Sequence, residues 1–207
     1  MAPKKKKKEI ALLGGAFDPV TLGHIQVAEY VLAASRIFSE VWLMPCFSHV
    51  YDKHMVPSQH RLKMCEIAAA ASNRIRVFDY EIRHQLTRGT YYLIRQLLTE
   101  DFSRDYHYSM IIGQDNANTF NHWIRYKELA EILRFVVVPR KGVSLDHQVS
   151  WYWQAPHIYL TKDCQVMQVS STKVRNLLAA NKLEGVKPCV HPGVLEYILE
   201  HRLYQVD

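Results

Sequence analysis

No stretch of this sequence approaches the roughly 18 consecutive apolar residues that a membrane helix needs. The start Met1-Ala2-Pro3, followed at once by lysines, also lacks the apolar segment of a secretory leader. No membrane partner and an intracellular, cytoplasmic setting are therefore expected. Cysteine is sparse: Cys46, Cys65, Cys164 and Cys189 stand at wide, irregular spacings with no C-x-x-C pair. That argues against a zinc or disulfide framework and for free thiols in a reducing compartment. Linkers rich in Gly, Ser or Pro, internal repeats and low-complexity segments are missing too, apart from one lysine run, so nothing marks a second domain.

Excess charge is equally scarce outside that run. The 207 residues carry a formal net charge of +6, of which Lys4 to Lys8 supply five, leaving the body at +1. A near-neutral body is not the footprint of a duplex-binding protein, so no nucleic-acid partner is expected and positive charge should be focused on a small polyanion. Residues 1–8 are expected to form a disordered basic tail, with a nuclear address as the alternative reading of its lysines, and residues 9–207 a single domain. With 48% apolar and 22% charged residues, that body has the composition of a folded chain.

Apolar runs and helical periodicity alternate along it. Ile10 to Leu13 is a buried strand running into Gly14-Gly15, and Ile25, Val27, Ala28, Val31 and Leu32 recur at helical spacing as far as Ser35. Val41 to Met44 is a strand stopped by Pro45, Arg61 to Ala71 a helix, Arg76 to Phe78 a strand, and Tyr91 to Leu98 a helix. Strands follow at Tyr106 to Ile112, Ile132 to Val138 and Ile158 to Leu160, and a last helical run spans Val174 to Ala180. The alternation predicts an α/β fold: a Rossmann-like parallel sheet with helices on both faces, because parallel neighbours need a crossover. Ligands of such sheets bind beyond the carboxyl ends of the strands, here after Leu13, Met44, Ile112 and Val138.

Three constellations lie near those ends. In Gly14-Gly15-Ala16-Phe17-Asp18-Pro19-Val20-Thr21-Leu22-Gly23-His24 a glycine pair precedes a helix start, a place suited to phosphate, and Thr21 and His24 share a helical face. The segment fits neither G-x-x-x-x-G-K-[ST] nor G-x-G-x-x-G. In Ser170-Ser171-Thr172-Lys173-Val174-Arg175 the hydroxyls are simple helix caps by themselves, but Ser171 and Arg175 stand one helical turn apart, close enough to share a target. In Gly113-Gln114-Asp115, an acid follows a strand end and Trp123 follows the acid. Lys53 and Arg61, ahead of a helix, read as ordinary solvated charges on their own.

Taken together, these segments resemble a known superfamily. The first is similar to the G-x-F-D-P-x-[HT]-x-G-H signature of nucleotidyltransferases, with Thr21 at the position where pyridine-mononucleotide enzymes more often have His and phosphopantetheine adenylyltransferases have Thr. The second resembles the family's [IV]-S-S-T-x-x-R element. The third resembles the G-x-D motif and following tryptophan of nicotinate/nicotinamide mononucleotide adenylyltransferases. Arg88-Gly89-Thr90-Tyr91-Tyr92 is similar to R-x-G-x-[ST]-Y-T, except that Tyr92 replaces the last Thr, which leaves acid against amide preference open. Val194 to Tyr204 resembles the family's V-x-x-Y-I-x-x-x-x-L-Y ending, read here as packing. The likeness runs from Leu13 to Tyr204, and residues 144–166 match nothing in it.

The resemblance implies the nucleotidyltransferase fold and transfer of AMP from ATP to nicotinate or nicotinamide mononucleotide, with release of pyrophosphate, in NAD biosynthesis. It places His24, Thr21 and Arg175 in the chemistry, and Gly14, Gly15, Phe17, Asp18, Gly113, Asp115, Ser170, Ser171 and Thr172 with them around ATP. Gly15, Ala16, Lys53, Thr90 and Trp123 are implied around the mononucleotide. Magnesium would arrive on the ATP phosphates, with no dedicated protein ligands. Another nucleotidyltransferase of the same fold, such as a phosphopantetheine adenylyltransferase, and a non-catalytic nucleotide-binding protein are the alternatives, and a homo-oligomer is left open.

Overall fold

The computed structural model describes residues 6–48, 55–140, 142–143, 151–161, 166–167 and 169–205. Lys4, Lys5, Lys53, Cys164 and residues 144–150 and 162–165 lie outside them. The strands are β1 (Lys8–Gly15), β2 (Glu40–Pro45), β3 (Ile75–Val77), β4 (Tyr106–Gly113), β5 (Arg134–Val138) and β6 (Ile158–Tyr159). They form a six-stranded sheet in the order β3-β2-β1-β4-β5-β6, and β1–β4, β4–β5 and β5–β6 are parallel pairs. This is the expected α/β architecture. Its inner strands carry buried, largely apolar runs, as a sheet covered by helices requires: every residue of β2 is buried, and so are Ile10 to Leu13 of β1.

The helices are α1 (Leu22–Ser35), α2 (Ser58–Ala69), α3 (Tyr80–Arg83), α4 (Thr90–Leu97), α5 (Gln114–Asn118), α6 (Tyr126–Ile132), α7 (Ser171–Ala179), α8 (Leu183–Val186) and α9 (Pro192–Glu200). Most element boundaries shift by a few residues from the sequence expectation, and two of the shifts have a plain cause. β5 starts at Arg134, because Ile132 completes α6, whose polar Tyr-Lys-Glu start hides its helical period. The basic tail ends before Lys8, whose backbone already pairs with Tyr106 while its ammonium stays outside, 3.9 Å from Glu40.

Contacts group the chain into two compact units that interleave in sequence, a division that no linker marks. The first comprises residues 1–13, 31–42 and 88–164. Its core joins Ile10, Leu12, Ile111 and Val137 to an aromatic cluster in which Phe120 stacks on Trp151 at 4.3 Å and meets Phe135 edge-on at 4.8 Å. The second comprises residues 14–30, 43–87 and 165–207. There α9 lies so close to α2 that a side chain at Gly193 would stand 3.0 Å from Ile67 Cγ2, and His60 Nδ1 lies 2.9 Å from the Tyr197 hydroxyl. Among the described residues no helix is long and apolar enough to cross a membrane.

Candidate functional site

The second unit contains the whole Gly14-to-His24 segment and the Ser170-to-Arg175 element. Gly14 and Gly15 still belong to β1, and neither has a left-handed φ. The left-handed residue of this segment is Phe17, with φ +48°. Missing side chains, not special torsions, are what the glycines contribute: Gly14 is exposed, and the nearest atom to a side chain there would be Met44 Cε at 3.9 Å. The Gly15 carbonyl accepts from the Cys46 amide at 2.9 Å and the Ala16 carbonyl from Arg61 Nη1 at 2.8 Å.

Thr21 and His24 do share a face, and they meet each other. The Thr21 amide donates to His24 Nδ1 at 3.0 Å, and the Thr21 hydroxyl lies 2.9 Å from the same nitrogen. An amide N–H can only donate, so Nδ1 carries the lone pair and the ring proton sits on Nε2. Burial lowers the His24 pKa to about 4, which keeps the ring neutral at pH 7. His24 is therefore a neutral Nε2–H donor of fixed orientation, with the Phe17 ring edge-on to it at 5.0 Å. Thr21, only 1% exposed, places its hydroxyl on the imidazole and sets the tautomer through its amide. Similarly, the Leu22 amide at the start of α1 is not free, since it donates to the Cys189 carbonyl at 2.9 Å. Gly23 is required by close approach: a Cβ there would stand 2.9 Å from the Met167 carbonyl oxygen.

The two segments, about 150 positions apart, are joined directly. Arg175 Nη1 donates to the Asp18 carbonyl at 2.6 Å and stands 3.8 Å from Asp18 Oδ2, while the Ser171 hydroxyl donates to the Pro19 carbonyl at 2.8 Å. The hydroxyls divide their tasks. Ser170 is the N-cap of α7, accepting from the Lys173 amide at 3.2 Å; Ser171 ties the loop; Thr172 Oγ1 accepts from Arg175 Nη2 at 3.2 Å. Arg175 keeps a quarter of its side chain exposed.

Residues that the sequence left without a role surround this junction. Arg61, 1% exposed, donates to three carbonyls: Ala16, Val56 at 3.1 Å and Phe47 at 3.3 Å. A buried guanidinium is tolerated only with its donors filled, so Arg61 clamps the β1 and β2 loops together and is not the solvated charge read from the sequence. Glu81 accepts from the Phe47 amide at 3.1 Å, and burial raises its pKa to about 7. Tyr204, taken as packing, donates its hydroxyl to Asp18 Oδ1 at 2.7 Å. For Tyr204 the sequence offered only its place in the C-terminal ending.

In the first unit, Gly113 ends β4 and Asp115 lies in the first turn of α5. A Cβ on Gly113 would lie 2.5 Å from Asp115 Oδ1, which explains the Gly-x-Asp spacing: only glycine leaves room for the carboxylate to fold back over the strand end. Oδ2 pairs with Arg140 Nη1 at 2.5 Å, whereas Oδ1 is buried with no partner among the described residues. An orphaned carboxylate oxygen is costly and marks a place for a donor. Arg140 was missed, although it sits just beyond the end of β5, one of the strand ends singled out above. Thr90 is the first residue of α4, and Trp123, partly exposed, rests 5.5 Å from the Phe120 ring. The Arg125 guanidinium covers Tyr91 at 4.5 Å and that of Arg88 covers Tyr92 at 4.1 Å.

A cytidylyltransferase-like family model matches residues 12–177. A probable nicotinate-nucleotide adenylyltransferase of Myxococcus xanthus is 32% identical over 95% of this chain and 94% of its own length. One from Streptococcus pneumoniae is 32% identical over 97% and 91%. Among solved structures, the Plasmodium falciparum nicotinic acid mononucleotide adenylyltransferase complexed with NaAD has the same fold, with a TM-score of 0.80, 24% identity and coverage of 95% of this chain and 97% of that one.

Proposed function

This chain belongs to the cytidylyltransferase-like nucleotidyltransferases, and on that footing we propose that it transfers AMP from ATP to nicotinate mononucleotide, releasing pyrophosphate and forming the dinucleotide. The acid is preferred to the amide as acceptor because the relatives named above carry the nicotinate name. The observation that carries the reading is the junction of Arg175 with Asp18, which sets a partly exposed guanidinium beside the loop that holds His24.

In this reading an oxygen of the mononucleotide 5′-phosphate attacks the α-phosphorus, the new P–O bond forms, and the bond to the β-phosphate oxygen breaks with its electrons leaving on pyrophosphate. A phosphate oxygen is already anionic at neutral pH, so no general base is needed and alignment with charge stabilisation does the work. The His24 Nε2–H donates to the α-phosphoryl oxygens as charge builds on them, and a neutral donor held in place loses nothing to reorientation. Arg175 neutralises the β and γ phosphates. Asp115 Oδ1 accepts from a donor on the nucleotide, and Trp123 offers a flat face to the cationic pyridine ring.

The described residues contain no cluster of three His, Cys, Asp or Glu able to hold a metal. Magnesium would arrive with ATP, held by phosphate oxygens and water, and would neutralise phosphate charge. The test is to supply ATP and magnesium with nicotinate mononucleotide, nicotinamide mononucleotide and 4′-phosphopantetheine in parallel and follow pyrophosphate. Release is expected with the first, more slowly with the second; release only with the pantetheine acceptor, or with none, would overturn the assignment.

A further inference from the structure

We propose that Tyr204, four residues beyond α9, is a positioning residue for ATP binding: its phenol holds the Asp18 carboxylate away from Arg175, leaving the guanidinium for the triphosphate. The proposal rests on the reading of Arg175 given above.

Asp18 is 3% exposed. Its Oδ1 takes two donors, the Tyr204 hydroxyl at 2.7 Å and the Val56 amide at 3.3 Å. The other oxygen, Oδ2, stands 3.8 Å from Arg175 Nη1, outside hydrogen-bond distance, while that same nitrogen donates to the Asp18 main-chain carbonyl at 2.6 Å. A buried carboxylate and a guanidinium this close are drawn into a bidentate pair, the strongest arrangement open to them. The pair does not close, because the short bond from Tyr204 fixes the carboxylate on its far oxygen.

The chain end is shaped to deliver that bond. After α9 the backbone takes left-handed torsions at Arg202, φ +50°, and at Tyr204, φ +62°, which residues with side chains rarely adopt. Leu203 is buried between them and its amide donates to the Ile198 carbonyl at 3.0 Å. Burial and the neighbouring carboxylate push the phenol pKa well above its ordinary value, so it remains a donor at every working pH.

Without the hydroxyl, Oδ1 keeps only the longer Val56 contact, and Asp18 can turn onto Arg175 and compete with ATP for it. The experiment measures ATP dissociation constants by calorimetry and KM values for both substrates in the parent, Tyr204→Phe, Asp18→Asn, the double variant and Leu203→Ala. Tyr204→Phe should weaken ATP binding about tenfold, the loss typical of a hydrogen bond to a charged group, and leave the acceptor KM within about twofold. In the Asp18→Asn background, where no carboxylate can capture Arg175, the same substitution should change ATP binding less than about twofold. Leu203→Ala, which loosens the same terminus, should lower the melting temperature without this ATP-specific loss. Equal losses for both substrates, an unchanged ATP constant, an effect of Tyr204→Phe that persists in the Asp18→Asn background, or insolubility of Tyr204→Phe beside a soluble Leu203→Ala would each overturn the proposal. Because the calorimetric arm needs no turnover, an inactive parent would sink the assigned reaction and leave this test intact.

Discussion

Replacing His24 by alanine removes a donor whose protonation state the fold fixes in advance. The Thr21 amide, 3.0 Å from Nδ1, forces the proton onto Nε2, and a pKa near 4 keeps the ring uncharged. Loss of one preorganised donor to developing oxyanion charge costs about 10²- to 10³-fold in kcat, roughly 2.7–4 kcal/mol of barrier, with a smaller effect on ground-state ATP binding. Thr21→Val is the sharper companion. It deletes the hydroxyl at 2.9 Å but keeps the amide that sets the tautomer, so kcat should fall less than about tenfold. The pH dependence follows in sign. His24 has a folded pKa below its ordinary 6.5, so the stability it contributes is complete above pH 6.5 and is lost as pH falls toward 4. Accordingly, kcat should show no acid limb from His24 between pH 8 and about 5.5. Steady-state pyrophosphate release across that range decides the matter. Turnover of His24→Ala within about threefold of the parent, or a parental limb near pH 6.5 that the substitution abolishes, would refute the neutral-donor argument.

Other expectations rest on single contacts. Gly113→Ala puts a methyl 2.5 Å from Asp115 Oδ1 and must displace the carboxylate, so kcat/KM for ATP should fall at least about tenfold while most of the fold's stability is kept; an unchanged value would remove Asp115 from the nucleotide site. Arg175→Ala should raise the KM for ATP about 10- to 100-fold, and a normal KM would contradict its place on the phosphates. Glu81 keeps its proton to about pH 7 when folded but ordinarily loses it near 4.5, so the folded protein is progressively disfavoured as pH rises through that window. Glu81→Gln keeps an acceptor for Phe47 and should raise the melting temperature at pH 8, by about 1–3 kcal/mol of stability, with little change at pH 4.5. An equal effect at both pH values would show that Glu81 does not titrate in this way.

Much of the fold was legible because its strands are long apolar runs: Ile10 to Leu13, Val41 to Met44 and Tyr106 to Ile112 are readable without any partner in view. The short helices were not. α3, α5, α6 and α8 have four to seven residues each, too few turns for a 3.6-residue period to emerge. The division into two units is equally silent in the sequence, since each is assembled from three separated stretches.

The candidate site shows the same limit at finer scale. Spacing correctly paired Thr21 with His24, but only the coordinates show Thr21 buried and bonded to the imidazole rather than open to a ligand. Motif position could not say that Ser171 donates to Pro19, nor that a terminal tyrosine reaches Asp18 across 186 positions. Arg61 looked like a solvated charge because burial of a guanidinium depends on three carbonyls brought from elsewhere in the chain.

The central claim is that the loop carrying His24 and the element carrying Arg175 hold one ATP for attack at its α-phosphorus. Following ATP labelled at that phosphorus, with magnesium and nicotinate mononucleotide present, tests it most directly. Label is expected in the dinucleotide in step with unlabelled pyrophosphate; label in ADP, in free AMP alone, or left wholly in ATP would contradict transfer at that phosphorus.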